Sequence, residues 1–347
     1  MTAALPARVL EQTPAPMAPP AVEAHGLCKT YDGHAVVRHV DLSIPGGCVY
    51  GLLGRNGAGK STLTRMLTGM IHPDAGTARL LGEDIRSIAP KTRGRVAYTA
   101  EGHPLYAGLT VRQSVRLMKG LSRRWDGDLV GRILDHFELP DGRKVRRLSK
   151  GQRAQLSLAL AVGPDPDLFI MDDPTLGLDP VVRRDFLESM VQIIQRPGRT
   201  VVFSSHVLGD VERVADRIGV MVDGVLRVDC PTDLFKASAR KLVLRFEGPP
   251  PSYPPAGSES PAGLVYAHRR GRELDLFVVG AAAEHRAMAE RLNPASLEVL
   301  ELNLEDAFLE YARGRRKPLP VFASGPTLPA TGVGEAIESG TAEEDER

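Results

Sequence analysis

Net charge is nearly absent: 44 Lys and Arg stand against 43 Asp and Glu over 347 residues. No global field therefore draws the chain to nucleic acid or to an anionic membrane, and nucleic acid is not expected as a partner. Cysteine is scarce. Cys28, Cys48 and Cys230 are odd in number and far apart, which argues against a disulfide framework or a Cys-x-x-Cys metal site and fits a reducing compartment. They read as small buried apolar residues. Long apolar runs are missing too. "LSLALAV" from Leu156 and "LFVVGAAA" from Leu276 fall far short of the roughly 20 residues of a membrane helix, so work at a membrane would need another chain. The opening "MTAALPARVLEQTPAPMAPP" lacks the continuous apolar stretch of a signal peptide. Its Pro and Ala content predicts a disordered leader over 1–21.

What is there is length enough for a full core and a second, smaller domain. Residues 22–237 alternate short β-rich runs with helical patterns, the rhythm of a mixed α/β domain. "CVYGLL" (48–53) reads as a strand and "KSTLTRMLTGM" (60–70) as the helix after it. "LFIM" (168–171) and "TVVFSS" (200–205) read as buried strands, and "IGVMVDGVLRV" as a hairpin turning at Asp223-Gly224. Residues 102–165 are mostly helical in pattern. From 238 to 314 a small α+β domain is expected: "KLVLRF" and "ELDLFVV" as strands, "AEHRAMAERL" and "LNLEDAFLEYARG" as helices. The Pro/Gly/Ser-rich "GPPPSYPPAGSESPAG" joins the two strands. Residues 315–347, basic first and acidic last, read as a disordered tail.

Chemistry enters at Gly54-Arg55-Asn56-Gly57-Ala58-Gly59-Lys60-Ser61, followed by Thr62, which fits G-x-x-x-x-G-K-[ST] between a predicted strand and a predicted helix. The glycines let successive N–H groups curl round a phosphate, and the helix N-terminus adds its positive dipole. Lys60 suits the β- and γ-phosphates; the Ser61 hydroxyl suits Mg²⁺. A glycine-rich turn can match by chance, but the strand–loop–helix context argues against that. The apolar run 168–171 then ends in two aspartates. Asp172, at the strand tip, suits Mg²⁺ held through water. No Asn-Lys-x-Asp occurs in the chain, which argues against a Ras-type GTPase.

Upstream of those aspartates, Leu148-Ser149-Lys150-Gly151-Gln152 reads physically as a helix start, with Ser149 as cap and Gly151 allowing close approach. It also resembles the LSGGQ signature of ABC ATPases, with Lys150 in place of the first glycine. Tyr31 in "LCKTYDG" stands where that family stacks adenine. Gly177-Leu178-Asp179 is similar to its D-loop, and His206, closing "VVFSSH", to its switch histidine. Each match is weak alone. Their shared order and spacing identify residues 24–237 as resembling an ABC nucleotide-binding domain, a P-loop NTPase fold with a mixed sheet and a helical subdomain near 102–165.

The resemblance implies ATP and Mg²⁺ as ligands. It implies head-to-tail pairing with a second ABC ATPase domain, from the same or a related chain, so that Ser149, Gly151 and Gln152 face the partner's nucleotide and Asp179 lies at the shared interface. The stretch after His206 and the C-terminal unit look like exporter-type subunits that pair with a separate permease at the cytoplasmic face of the cell membrane. The segment 103–140, beginning "HPLYAGLTVRQSV", resembles the region that grips the permease.

Two residues depart from the family pattern. The position after the Mg²⁺ aspartate is usually glutamate, which orients the attacking water; here it is Asp173. Its oxygens sit roughly 1 Å back, and misplacement of that size can cost about 10²-fold in rate. A small backbone shift could restore the geometry. Glu101 falls where the family has a glutamine that contacts Mg²⁺ and water; it would add negative charge near the γ-phosphate, unless it is merely a solvated loop acid. The expected function is thus ATP hydrolysis driving a permease, with slow turnover. The alternatives are a weakly hydrolysing half of an asymmetric ABC heterodimer and a non-transport ATP switch. A clamp acting on ribosomes or DNA fits less well, because a second phosphate loop, zinc cysteines and long coiled coils are all missing. What is transported is not legible.

Overall fold

Strand alternation places the first apolar residues in an antiparallel sheet of order β2-β1-β4-β5. It is built from β1 (Pro20–Tyr31), β2 (His34–Pro45), β4 (Ala75–Leu80) and β5 (Glu83–Asp84). The computed structural model describes residues 20–194, 198–254, 261, 263–280, 282–302 and 305–308. Pro20 and Ala21, expected in the leader, instead open β1; a proline is tolerated there because the first strand residue need not donate. The rest of the expected leader, residues 1–19, and the expected tail, 315–347, lie outside the described residues. Asp32 and Gly33 turn β1 into β2 with φ of 48° and 77°, the signs a type I′ hairpin requires.

The second sheet has the order β10-β9-β3-β8-β7-β6. Its strands are β3 (Val49–Gly54), β6 (Val96–Thr99), β7 (Leu168–Met171), β8 (Thr200–Ser205), β9 (Arg217–Val222) and β10 (Val225–Pro231). β3 runs parallel to β8 and β9, and β7 parallel to β6 and β8. β10 returns antiparallel through the expected turn at Asp223 (φ 49°) and Gly224 (φ 81°). Every residue of β7 and β8 is buried, as continuous apolar runs in a parallel sheet demand.

Side-chain alternation sends the two faces of β7 into different cores. Leu168 and Ile170 join Leu27, Ile44, Leu63 and Met66, on the side of the antiparallel sheet and α1 (Lys60–Leu67). Phe169 and Met171 join Leu156, Phe186, Phe203 and Val211. These come from α5 (Lys150–Val162), α6 (Pro180–Ile194), β8 and α7 (Leu208–Val214). The short α2 (Pro90–Arg93) precedes β6, and α3 (Val111–Leu121), α4 (Gly127–His136) and α5 lie between β6 and β7, the helices that the pattern of 102–165 indicated. Thr110 and Ser149 begin α3 and α5 with full capping boxes, each satisfying two orphan helix N–H groups.

After α8 (Thr232–Ser238) a third sheet follows, order β12-β13-β11-β14, with β11 (Ala239–Arg245), β12 (Leu264–Arg270), β13 (Glu273–Val279) and β14 (Ser296–Glu301), plus α9 (Ala282–Glu290). β12 and β14 are strands the sequence pattern did not announce. β13 is buried on both faces: Leu274, Leu276 and Val278 pack with Leu242 and Leu244, while Phe277 and Val279 join the core that holds Phe235. Of the expected helix 302–314, residues 305–308 are described and helical.

Candidate active site

Parallel register brings the chemistry together. Leu53 of β3 pairs with Ser205 of β8, and Met171 of β7 with Phe203. The loop after β3, the aspartates after β7 and His206 after β8 therefore emerge side by side at the carboxyl ends of adjacent strands, where open α/β sheets place ligands.

The loop is forced into its path by glycines. Gly57 and Gly59 have φ of 82° and 98°, left-handed values that side chains disfavour. A Cβ on Gly59 would stand 2.6 Å from the Val36 carbonyl oxygen, and one on Gly54 would stand 2.7 Å from that of Met221. Ala58 N–H donates to the Arg55 carbonyl at 3.1 Å, and Gly224 N–H to the Ala58 carbonyl at 3.2 Å, tying the loop to the β9–β10 turn. Lys60 opens α1 and is buried; its ammonium donates to the carbonyls of Gly54 (2.7 Å) and Arg55 (3.2 Å). Burial pushes its pKa down, while Asp173, Asp172 and Glu101 pull it back up.

A cleft of about 370 Å³ lies over this loop, lined by Asn56, Gly57, Gly59, Lys60, Ser61, Thr62, Glu101, Asp172 and Asp173 with Val36 and Leu176. At its floor Asp172 is fully buried. Its Oδ1 accepts from Ser61 Oγ (3.0 Å) and Ser204 Oγ (2.8 Å). Asp173 N–H donates to the same Ser204 Oγ at 2.9 Å. The Asp173 carboxylate accepts from His206 Nδ1 at 2.6 Å, which fixes the proton on that nitrogen. Asp172 Oδ2 and Asp173 Oδ1 are buried with no hydrogen-bond partner. Such atoms are costly unless a ligand satisfies them. A hard hydroxyl–carboxylate pair with an orphaned oxygen suits Mg²⁺, which takes one or two protein ligands and completes its shell with phosphate and water. Among the described residues no group of three or more His, Cys, Asp or Glu is placed to hold a metal ion by itself. Glu101, exposed in the loop after β6, lines the same cleft.

Other expected residues stand elsewhere. Tyr31, at the end of β1, is 44% exposed and is not among the cleft-lining residues. Lys29 lies 5.5 Å from its ring centroid and pairs with Asp74 at 2.7 Å. Ser149 and Gln152 bond each other at the exposed start of α5, each backbone N–H donating to the other's side chain at 3.1 Å. Gly151 permits close packing on α6, since a Cβ there would stand 2.8 Å from Val182 Cγ1. Asp179 caps α6, its Oδ1 accepting from the N–H groups of Val181 (3.2 Å) and Val182 (3.0 Å). Ser149, Gly151, Gln152 and Asp179 do not line the cleft of their own chain.

Three contributors escaped the sequence reading. Ser204 bridges both aspartates. Thr175 Oγ1 donates to the buried Asp210 at 2.9 Å, and His103 bonds the Pro174 carbonyl at 2.9 Å. Ser204 had a trace in the run "FSSH"; the other two had none, because their partners are distant in sequence.

The phosphate loop, the carboxylates at the tip of β7 and the histidine after β8 together define a P-loop nucleoside triphosphatase. The family model described as ABC transporter matches residues 37–176. "ABC transporter ATP-binding protein YtrB" of Bacillus subtilis is 30% identical over 303 residues, spanning 85% of this chain and 99% of that relative. "Nod factor export ATP-binding protein I" of Burkholderia orbicola is 34% identical over 290 residues, 81% of this chain and 93% of the relative. A solved "ATP binding subunit of ABC transporter" superposes with a TM-score of 0.55 at 27% identity, over 62% of this chain and 92% of that one. The chain belongs to the family of ABC transporter ATP-binding subunits.

Proposed function

We propose that the chain hydrolyses ATP to drive export through a separate membrane permease. The observation that carries this is the hydrogen-bonded network Ser61–Asp172–Ser204–Asp173–His206, whose Ser61, Asp172 and Asp173 line one cleft with Lys60. In this reading the loop N–H groups and Lys60 hold the β- and γ-phosphates. Ser61 and Asp172 would hold Mg²⁺, with Glu101 beside them; the ion, when bound, offsets charge building on the phosphoryl oxygens. Asp173 orients and polarises the attacking water, and His206 holds its carboxylate. Because Asp173 is one methylene shorter than glutamate, turnover is slow. Tyr31 offers its exposed face to adenine.

Ser149, Gly151, Gln152 and Asp179, exposed or outside the chain's own cleft, serve the nucleotide of a second ABC domain, so ATP drives dimerisation. We assign residues 22–237 to the ATPase domain and 238–314 to a C-terminal domain. Among the described residues no helix is long and apolar enough to cross a membrane, and the membrane path is assigned to the permease. Tyr106 (71% exposed), Leu117 (37%) and Leu121 (73%) on the helical segment offer it apolar contacts. Export rests on the likeness to the Nod factor export subunit, and action at the cytoplasmic face follows from the pairing. The short Asp173 also favours a second reading, a weakly hydrolysing half of an asymmetric pair or an ATP switch.

The test is sedimentation velocity of Asp173→Asn with and without Mg²⁺-ATP, with Lys60→Ala as control. A nucleotide-dependent dimer lost in Lys60→Ala supports self-pairing. Association only with a different ABC subunit supports the asymmetric reading, and no association with either contradicts both transport readings.

A further inference from the structure

His103 lies in the loop between Glu101 and α3, and the residue is only 5% exposed. Nε2 stands 2.9 Å from the Pro174 carbonyl oxygen. A carbonyl can only accept, so Nε2 carries the proton. The second ring nitrogen is Nδ1. That nitrogen is buried with no hydrogen-bond partner. A polar atom left unpaired in an interior destabilises the fold. An apolar side chain would fill the same space against Phe186, 6.4 Å away, without that cost. The imidazole is therefore poorly explained by packing alone.

What its other nitrogen holds is the backbone beside the proposed base. Asp173 has φ of 43°, a left-handed angle that a non-glycine residue keeps only when its surroundings over-determine it. Three bonds do so. Ser204 of β8 accepts from Asp173 N–H, Asp210 of α7 accepts from Thr175 Oγ1, and His103 donates to Pro174 O. The first two come from the strand and helix flanking His206. The third comes from the loop that carries Glu101 and leads into the helical segment.

We infer that His103 is a positioning residue for hydrolysis: its Nε2–H grips the Pro174 carbonyl, fixes the backbone angle of Asp173, and links that angle to the loop entering the helical segment. The inference rests on the reading of Asp173 as the residue that orients water. A shift of the helical segment would then reach the carboxylate through one hydrogen bond.

The test compares His103→Gln with His103→Met in the full chain. Both side chains are unbranched and of equal length, and both meet the same strain at φ 52°; only glutamine can donate. His103→Met should lose about 10- to 100-fold in kcat, the scale of a misplaced reacting group, with ATP affinity changed by less than about twofold. His103→Gln should recover to within about threefold of the parent. Equal rates in the two variants, or a loss confined to ATP affinity, would overturn the inference. If His103→Met fails to fold, His103→Phe keeps the ring volume without the donor and takes its place. Should the parent hydrolyse no ATP at all, the catalytic reading of Asp173 fails separately. Amide exchange at Asp173 and Leu176 then decides the positioning role: faster exchange in the methionine variant than in the glutamine variant upholds it, and equal exchange overturns it.

Discussion

Lengthening Asp173 to glutamate is expected to speed hydrolysis. The carboxylate is now drawn toward His206 by a 2.6 Å contact, and the residue is only 6% exposed. One more methylene carries the oxygens roughly 1 Å further, a displacement that can change a rate by about 10²-fold, or close to 3 kcal/mol of barrier. Overpacking opposes this and typically costs about 1–3 kcal/mol in a closed core. Here a cleft of about 370 Å³ adjoins the carboxylate, so the longer side chain can extend into open space and the cost should fall near the lower end. The assay is phosphate release at saturating ATP, with urea unfolding in parallel. A rise in kcat of about tenfold or more, with stability lowered by about 1 kcal/mol, is expected. If Asp173→Glu is no faster than the parent, the left-handed backbone already brings the shorter carboxylate to the water and the length argument is wrong.

Further outcomes follow from the same network. Ser204→Ala removes the acceptor of Asp173 N–H and a donor to Asp172; unfolding should show a loss of about 1–3 kcal/mol, and an unchanged stability would mean the bridge contributes nothing. Gly59→Ala sets a Cβ 2.6 Å from Val36 O at φ 98°; binding of a fluorescent ATP analogue should fall at least about tenfold, and intact binding would contradict the close approach. The folded state lowers the His103 pKa from 6.5, so the unfolded chain takes up that proton more readily. Stability from this group is full above pH 6.5 and is lost as pH falls through the folded value. The stability of His103→Gln relative to the parent should therefore rise from pH 7 toward pH 5, and a flat difference would refute the linkage.

The parts of the site legible in sequence are those that are local. Gly54 to Ser61 must turn from strand to helix within eight residues, and "LFIM" must be buried before Asp172 can sit at its tip, so pattern and spacing announce both. The Asp223-Gly224 hairpin was legible for the same reason. Ser204, Asp210 and His103 act through partners about 30 to 70 residues away; only Ser204, in the run "FSSH", left a local trace. β14 escaped because its exposed edge, "SLEVLE", has too little apolar alternation to separate it from a loop. The first sheet was missed as a unit because antiparallel pairing of β1 with β4 spans about 50 residues of intervening chain.

The most direct test of the whole account is phosphate release by the full chain beside Asp173→Asn, with ATP affinity measured for both. Asparagine keeps the size of Asp173 but removes its charge. Measurable turnover in the parent, loss of at least about 100-fold in the variant and unchanged ATP affinity are expected if Asp173 orients the attacking water. Equal turnover in the two proteins would contradict it.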